Sequence, residues 1–159
     1  MENAVLENVR IPYGRFRNFS GEQRKFNAAG DRNFVIFLDS DNAERLRAAG
    51  WNVKYLEGND EYDDPTPMLK VKVNFNSKYP PKIVLVTRKN KVQLDESSVG
   101  LLDAAEISNA DMVLHPYEWK NDGGAAGVSA YLKTMYVTIE EDEFASKYGE
   151  DSEAADAPW

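Results

Sequence analysis

The sequence predicts a mainly β protein, and three observations carry that expectation. Short apolar segments recur at close intervals, separated by turn signals such as "KYPPK" and "NDGG". Several of them alternate with a period of two, the signature of half-buried strands. Only two stretches carry helix punctuation, and both are short. A small, partly open β-barrel of the OB type, OB-fold-like with two short helices packed at its ends, fits this pattern. An immunoglobulin-like sandwich fits the same periodicity, which by itself does not separate the two. The expected organisation is one domain over residues 1–139 and a disordered acidic C-terminal tail over residues 140–159.

The elements follow in order. Residues 9–19 read as a broken strand, because Pro12 and Gly14 interrupt it, which suggests an edge or a bulge. A loop, "SGEQRKFNAAGD", comes next. "NFVIFLD" is apolar on both faces and reads as a central strand, with Phe34 in the core. "DSDNAERLRAAG" offers Asp41 as N-cap with Glu44 three residues on, and Gly50 as the stop. "WNVKYLE" is a strand and "EGNDEYDDPTP" an acidic turn. "MLKVKVNF" alternates cleanly, with Leu69, Val71, Val73 and Phe75 on one face and Lys70, Lys72 and Asn74 on the other. "KIVLVTR" and "VQL" are further strands. A second short helix is expected over residues 96–105. "DMVLHPYEWK" then turns through "NDGG" into the long strand "AGVSAYLKTMYVTIE".

Composition excludes several kinds of chemistry. The 159 residues include no cysteine, which removes disulfide scaffolds, thiol catalysis and thiolate metal sites and suits a reducing cytoplasm. His115 is the single histidine, leaving little for a zinc site or a Ser-His-Asp triad. On a strand beside Val113, it reads as a packed or hydrogen-bonded residue. The N-terminus lacks a signal-peptide pattern. The longest aliphatic and aromatic run is "FVIFL", far short of the roughly 20 residues of a transmembrane helix, so a soluble protein without membrane association is expected. The acidic turn with Glu57, Asp60, Glu61, Asp63 and Asp64 reads as solvated loop. A metal-dependent nuclease would instead need carboxylates converging from rigid elements. Neither "AGDRNF" nor "NDGGAAG" has P-loop spacing. The chain is expected to be no enzyme and to need no cofactor or metal.

The charge is unevenly spread. Of the 19 basic and 27 acidic residues, residues 140–159 hold eight acids and one base, a local net charge of −7 out of −8. The body is therefore close to neutral, and patchy. Residues 10–34 carry six bases and two acids, interleaved with Tyr13, Phe16, Phe19, Phe26 and Phe34. Residues 65–94 carry seven bases and no acid, with Phe75 and Tyr79 among them. Cations interleaved with aromatics suit unpaired nucleic acid. The cations neutralise phosphates and release counterions, while ring faces stack on bases for ~1–3 kcal/mol each without reading sequence. About half of the five rings at 10–34 are expected in the core, and lysines on an outer strand face also protect sheet edges.

"GEDSEAADAPW" closes the chain. It is rich in acid, Ala and Ser, a composition that builds no core. Pro158 and Trp159 add nothing to solubility, whereas a tryptophan beside carboxylates suits a partner's pocket rimmed by basic residues.

The closing "DAPW" resembles the Asp-Ile-Pro-Phe ending of bacterial single-stranded DNA-binding proteins. In that family an acidic tip tethered to an OB domain recruits replication and repair proteins. Phage single-stranded DNA-binding proteins follow the same plan, with an acidic tail ending in an aromatic residue. The body is similar to a group of small phage-encoded proteins, through "YGRFRNFSGEQRKFNAAGDRNFVIFLD", "AAGWNVKYLE", "HPYEWK" and "VSAYLKTMYVTIEEDEF". Trp replaces Phe at the tip and Ala replaces Ile, so a partner with a different pocket is implied. Carried over by position, Asp156, Pro158 and Trp159 are the partner-binding tip for replication or recombination proteins. The upstream acids would attract such partners and fold back onto the basic groove when DNA is absent.

The resemblance thus implies a phage single-stranded DNA-binding protein, working in the host cytoplasm. Phosphate contacts are expected from Arg15, Arg17, Arg24, Lys25, Arg32, Lys70, Lys72 and Lys89. Base stacking is expected from Tyr13, Phe19, Tyr55, Tyr79 and Trp119, of which Tyr55 and Trp119 also suit a core. Arg15 and Arg17 are expected to share one strand face with Tyr13 and Phe19. Association into a homo-oligomer is compatible with the sequence. The rival is an acidic phage interaction protein that inhibits a host factor as a DNA mimic. A mimic needs its charges fixed on a rigid surface, and here they concentrate in the tail.

Overall fold

Nine strands form one hydrogen-bonded sheet in the computed structural model, which describes residues 1–58 and 64–140. The tail residues Asp156, Pro158 and Trp159, and most of the acidic turn, lie outside the described residues. The strands are β1 (Ala4–Val9), β2 (Arg17–Asn18), β3 (Arg32–Phe37), β4 (Lys54–Leu56), β5 (Thr66–Val73), β6 (Lys82–Val86), β7 (Lys91–Leu94), β8 (Ile107–Lys120) and β9 (Ala126–Ile139). One α-helix, α1 (Ser40–Ala48), and two 3-10 turns, Gly14–Phe16 and Val99–Asp103, complete the described elements.

The main path through the sheet runs β1-β8-β9-β5-β3-β2. Its two ends belong to one interrupted strand. The first half, β1, pairs antiparallel with β8, and the second half, β2, pairs antiparallel with β3. Between them Arg10 bridges Phe37, whose N–H donates to the Arg10 carbonyl at 2.9 Å. The path therefore returns on itself as a small barrel of the OB type. The β5–β9 pairing is parallel, while β3–β5 and β8–β9 are antiparallel. A sandwich would need two separate ladders, and here one ladder is continuous.

The interrupted strand has an expected span of residues 9–19, and it extends over residues 4–18. Asn8 takes φ +55° at the irregularity between Leu6 and Val9, and its N–H donates to Asp111 Oδ1 at 2.9 Å. Gly14 takes φ +80° and opens the 3-10 turn. These two bends let one strand serve two neighbours.

The barrel interior follows the period-two pattern. Leu69, Val71 and Val73 of β5 point in, while Lys70 and Lys72 point out. Phe34, Ile36, Met112, Leu114, Met135 and Val137 fill the same core. Phe19 stacks on Phe34 at 4.6 Å between centroids and is fully buried. This corrects its expected role as a base-stacking residue: its ring is committed to the inside of the barrel.

Arg17 is corrected likewise. It is 2% exposed, and its guanidinium caps the barrel end by donating to four backbone carbonyls. Nε reaches Pro12 O at 2.9 Å and Nη2 reaches Ile11 O at 3.0 Å. Nη1 reaches Leu102 O at 3.1 Å and Ala105 O at 2.5 Å. Desolvation lowers its pKa from the usual guanidinium value, yet an arginine stays charged throughout the range in which proteins fold. Four of its five N–H groups are committed to backbone and the side chain is buried, so it is not presented to a phosphate. The shared face expected for Tyr13, Arg15, Arg17 and Phe19 fails for a simple reason. The 3-10 turn over Gly14–Phe16 resets the alternation, so Arg15 stays exposed while Arg17 and Phe19 turn inward.

Smaller departures have local causes. The N-cap of α1 is Asp39, not Asp41, because Asp39 Oδ1 accepts the Asn42 N–H at 2.7 Å. Gly50, at φ +96°, ends the helix as expected. Trp51 is buried rather than on a strand. The second helix is a 3-10 turn, opened by Asp95, whose carboxylate accepts from Ser97 and Ser98 and is held below its usual pKa by those bonds.

Arg17→Ala should lower the unfolding free energy by about 3 kcal/mol or more, since it leaves three buried carbonyls and one partly buried one short of a charged donor. Arg17→Lys should recover little, because one ammonium cannot span the fork. Urea titrations of both variants check this, and unchanged midpoints would remove Arg17 from its place as the clamp.

Candidate nucleic-acid interface

The outer faces of β3, β5, β9 and β8 lie side by side. Register fixes one row across them: Asn33 opposite Lys72, Lys72 opposite Tyr131, and Tyr131 opposite His115. A neighbouring position pairs Val35 with Lys70, and Tyr117 sits opposite Ser129. Lysine thus occupies the middle of the sheet and tyrosine its β9–β8 side. Lys72 Nζ lies 5.9 Å from the Tyr131 ring centroid, and Tyr131 meets Tyr117 edge-on at 6.0 Å.

Three concavities line this face and run into one another. A polar one of about 390 Å³ lies between the β2–β3 loop and β5, lined by Phe26, Arg32, Lys70, Lys72 and Tyr131. An apolar one of about 710 Å³ is lined by Lys78, Tyr79, His115, Tyr117, Tyr131 and Lys133, and shares Asn74 and Tyr131 with the first. A third of about 360 Å³ is lined by Lys54, Met68, Trp119 and Ser129, and shares Lys70 and Lys72 with the first. The result is one groove whose described residues set six cationic side chains (Arg32, Lys54, Lys70, Lys72, Lys78 and Lys133) against one carboxylate, Asp31.

The loop between β2 and β3 forms one wall, and its own polar groups hold it. Asn27 Nδ2 donates to the carbonyls of Glu22, Ala28 and Asp31, and Asn27 Oδ1 accepts from Asn33 at 2.8 Å. Gly21, at φ +71°, lets Gly30 approach and donate its N–H to Gly21 O at 2.8 Å; a Cβ there would sit 3.2 Å from Gly30 and from the Arg32 side chain. The loop presents Phe26 almost wholly to solvent, 91% exposed, with Lys25 Nζ 5.4 Å from its ring. Packing into the core does not account for a ring left that open.

The β8–β9 hairpin forms the other wall. Asn121 Oδ1 accepts the Ala125 N–H at 3.0 Å and fixes the turn, which puts Trp119 opposite Gly127. The indole lies directly on that glycine, for a Cβ at position 127 would come within 2.7 Å of Trp119 Cζ2. One face of the ring is thus seated on backbone, and the residue keeps 39% exposure toward the groove.

Of the expected residues, Arg32, Lys70, Lys72, Tyr79 and Trp119 line this groove, and Lys25 stands beside it over Phe26. Arg32 also donates to Phe19 O at 2.6 Å and lies 3.9 Å from Glu96. The others sit elsewhere. Tyr13 donates its hydroxyl to Ala104 O at 2.7 Å and supports the Arg17 guanidinium at 4.7 Å. Arg15 stacks on Phe16, Arg24 donates to Arg17 O, and Tyr55 lies beside Arg47 on β4. Lys89 lies in the β6–β7 turn. The expected contact residues do not include Tyr131, Tyr117, Lys54, Lys78 or Lys133, nor Phe26, which the sequence marks only as one aromatic of a basic stretch. His115 is hydrogen-bonded, as expected, with Nδ1 3.0 Å from Asn3 Oδ1.

Among the described residues no cluster of acids and histidine could hold a metal ion, and no helix is long and apolar enough to cross a membrane. In the acidic turn, Glu57 and Asp64 are exposed, and residues 59–63 lie outside the described residues.

Comparison with solved structures finds the single-stranded DNA-binding protein from bacteriophage Enc34, at a TM-score of 0.54 and 8% identity, covering 89% of this chain and 83% of that one. A C-terminally truncated form of that protein aligns at 0.52 and 10% identity, covering 88% of this chain and 87% of that one. The gp2.5 single-stranded DNA-binding protein of bacteriophage T7 aligns at 0.39 and 14% identity, over 91% and 94% of the two chains. At these identities the first two show a common fold. No curated protein matches the sequence. The model of the family described as "Putative phage ssDNA-binding domain" matches residues 1–158. The chain, an OB-type barrel bearing a basic, aromatic groove, therefore belongs to the phage single-stranded-DNA-binding domain family.

Proposed function

We propose that this protein coats single-stranded DNA during phage replication and recombination, holding it in the groove over β3, β5, β9 and β8. One observation carries the reading: aromatic faces and six cations converge on one continuous groove with a single carboxylate among its described residues. In OB folds the face of the second and third barrel strands and the loops beside it bind oligonucleotides. Here those strands are β3 and β5, and the flanking walls are the β2–β3 loop and the β8–β9 hairpin. Lysines would take phosphates, and Tyr131, Tyr79, Phe26 and Trp119 would stack on bases. Neither contact reads a base edge, so little sequence preference follows. This is binding without catalysis.

The acidic segment at 140–159 supports a second part of the reading. Its net charge of −7 is tethered to a body bearing the basic groove, and tethering gives it a high effective concentration there. It would occupy the groove when DNA is absent and so compete with DNA for it. When DNA occupies the groove, the segment is released to partners, which would hold Trp159 with Asp156 and Pro158.

Anisotropy titrations with a labelled oligothymidylate test the groove. Lys70→Glu with Lys72→Glu should abolish most binding and flatten the salt dependence, by about 0.7 in log–log slope for each phosphate no longer neutralised. Tyr131→Ala should weaken binding roughly 5- to 100-fold, one stacked base's worth. Unchanged affinity in both would overturn the reading.

Gly127→Ala should mimic Trp119→Ala, since the methyl unseats the indole. The double variant should bind no more weakly than Trp119→Ala alone, because both remove the same platform. Additive losses would show that Gly127 acts elsewhere.

Removing the residues after Glu140 should tighten DNA binding, most at low salt. Trp159→Ala should leave DNA affinity unchanged and abolish capture of phage or host replication proteins from infected-cell extract. Truncated protein that fails to bind DNA would count against the whole proposal.

A further inference from the structure

We infer that the DNA path does not end at the groove but continues along β9 to a second landing made by Tyr136, Lys82 and the β6–β7 hairpin. This rests on the groove being the single-strand site.

Two strands of the acid-free stretch meet a single strand, β9. β8 occupies one edge of β9 along nearly its whole length. On the other edge β5 pairs with residues 130–131, and β6 then pairs with residues 134–138, both parallel to β9. Two strands of the acid-free stretch 65–94, β5 and then β6, therefore pair in succession with the same strand, and β7 pairs with β6 beyond them.

β9 repeats one arrangement along its outer face. Ala130, Leu132, Met135 and Val137 are buried, and the irregularity opposite Val113 and Leu114 shifts the phase by one, so Tyr131 and Tyr136 both face outward. Lys72 Nζ lies 5.9 Å from the first ring centroid and Lys82 Nζ lies 5.8 Å from the second. At roughly 3.3 Å of rise per residue the two rings stand about 16 Å apart. Tyr136 is 38% exposed and is not among the core residues. Past it, Arg88 and Lys91 are exposed on the hairpin, where β7 pairs with β6 at the margin of the sheet.

Asp111 is a nearby carboxylate. It is the cross-strand partner of Tyr136, but on β8, away from Lys82. Both of its oxygens are engaged, Oδ1 by the Asn8 N–H at 2.9 Å and Oδ2 by Asn109 at 3.4 Å. A DNA strand leaving Tyr131 thus meets a second ring with its lysine, then the cations of the hairpin.

The test uses the full chain and oligothymidylates stepped through the roughly 4–16 nucleotides that an OB fold covers. Wild-type affinity should rise with length beyond what the groove alone holds. The variant Lys82→Glu, Arg88→Glu, Lys91→Glu should bind the shortest bound oligomers as wild type does. It should lose the gain on longer ones, with the salt slope for the longest falling by about 2. Tyr136→Ala should lose part of that gain without the slope change, as an uncharged stacking group would. Longer oligomers bound equally by wild type and the charge variant, with equal slopes, would overturn the extension. Failure of wild type to bind any length would instead overturn the groove reading, and the extension with it.

Discussion

The barrel depends on a buried guanidinium. The strand that closes it is interrupted, and interruptions leave carbonyls without ladder partners. Ile11 and Pro12 lie in that gap, while Leu102 and Ala105 lie at and just beyond the 3-10 turn across the barrel mouth. Arg17 answers all four from one planar fork, with the Tyr13 ring under it at 4.7 Å. Asp103 completes the junction by accepting the Phe19 N–H at 2.6 Å and the Ser20 hydroxyl at 2.7 Å. Without the clamp, the β1–β2 strand loses two charged hydrogen bonds to the 99–105 segment. The groove inherits this constraint. Its loop wall starts where β2 ends, so the position of Phe26 depends on a strand that Arg17 keeps in place.

Periodicity made part of the site legible in the sequence. "MLKVKVNF" alternates without interruption, so Lys70 and Lys72 read as outward residues before any geometry. The same logic applies to β9, where buried Val128, Ala130 and Leu132 imply an outward Tyr131. A tyrosine suits core and surface equally, so alternation alone does not mark it as a site. The turn even fixes Trp119 opposite Gly127, because the hairpin pairs symmetrically about Asn121–Ala125. Arg17 is not legible. Its partners are backbone carbonyls, two of them 85 and 88 residues away, and carbonyls leave no mark in a sequence. Phe19 fails with it, because one 3-10 turn shifts the phase of everything that follows.

β9 is the axis on which the functional face is organised. It pairs with β5, β6 and β8 at once, so its outward residues receive neighbours from both edges. From one edge come the lysines of β5 and β6, and from the other His115 and Tyr117 of β8. A stretch without acid would be a solvated face if it wrapped around the molecule. With β5 and then β6 paired to one strand, Lys72 and Lys82 come to lie beside successive outward tyrosines of β9, an arrangement that a polyanion could follow.

The lysines over the tyrosines show how such a line keeps its rings available. An exposed aromatic patch in a free protein invites self-association. An ammonium held over a ring face shields it at little cost, since cation–π attraction at an exposed site is worth only ~0.5–1 kcal/mol. On the proposed reading a nucleotide would offer both groups something better: a phosphate for the ammonium and a base for the ring. Such an exchange would keep each group near its starting position and so would lose little ordering entropy. It also links the two interactions. A lysine drawn to a phosphate would uncover the ring beside it, and a base on the ring would leave that lysine facing the nucleic-acid backbone.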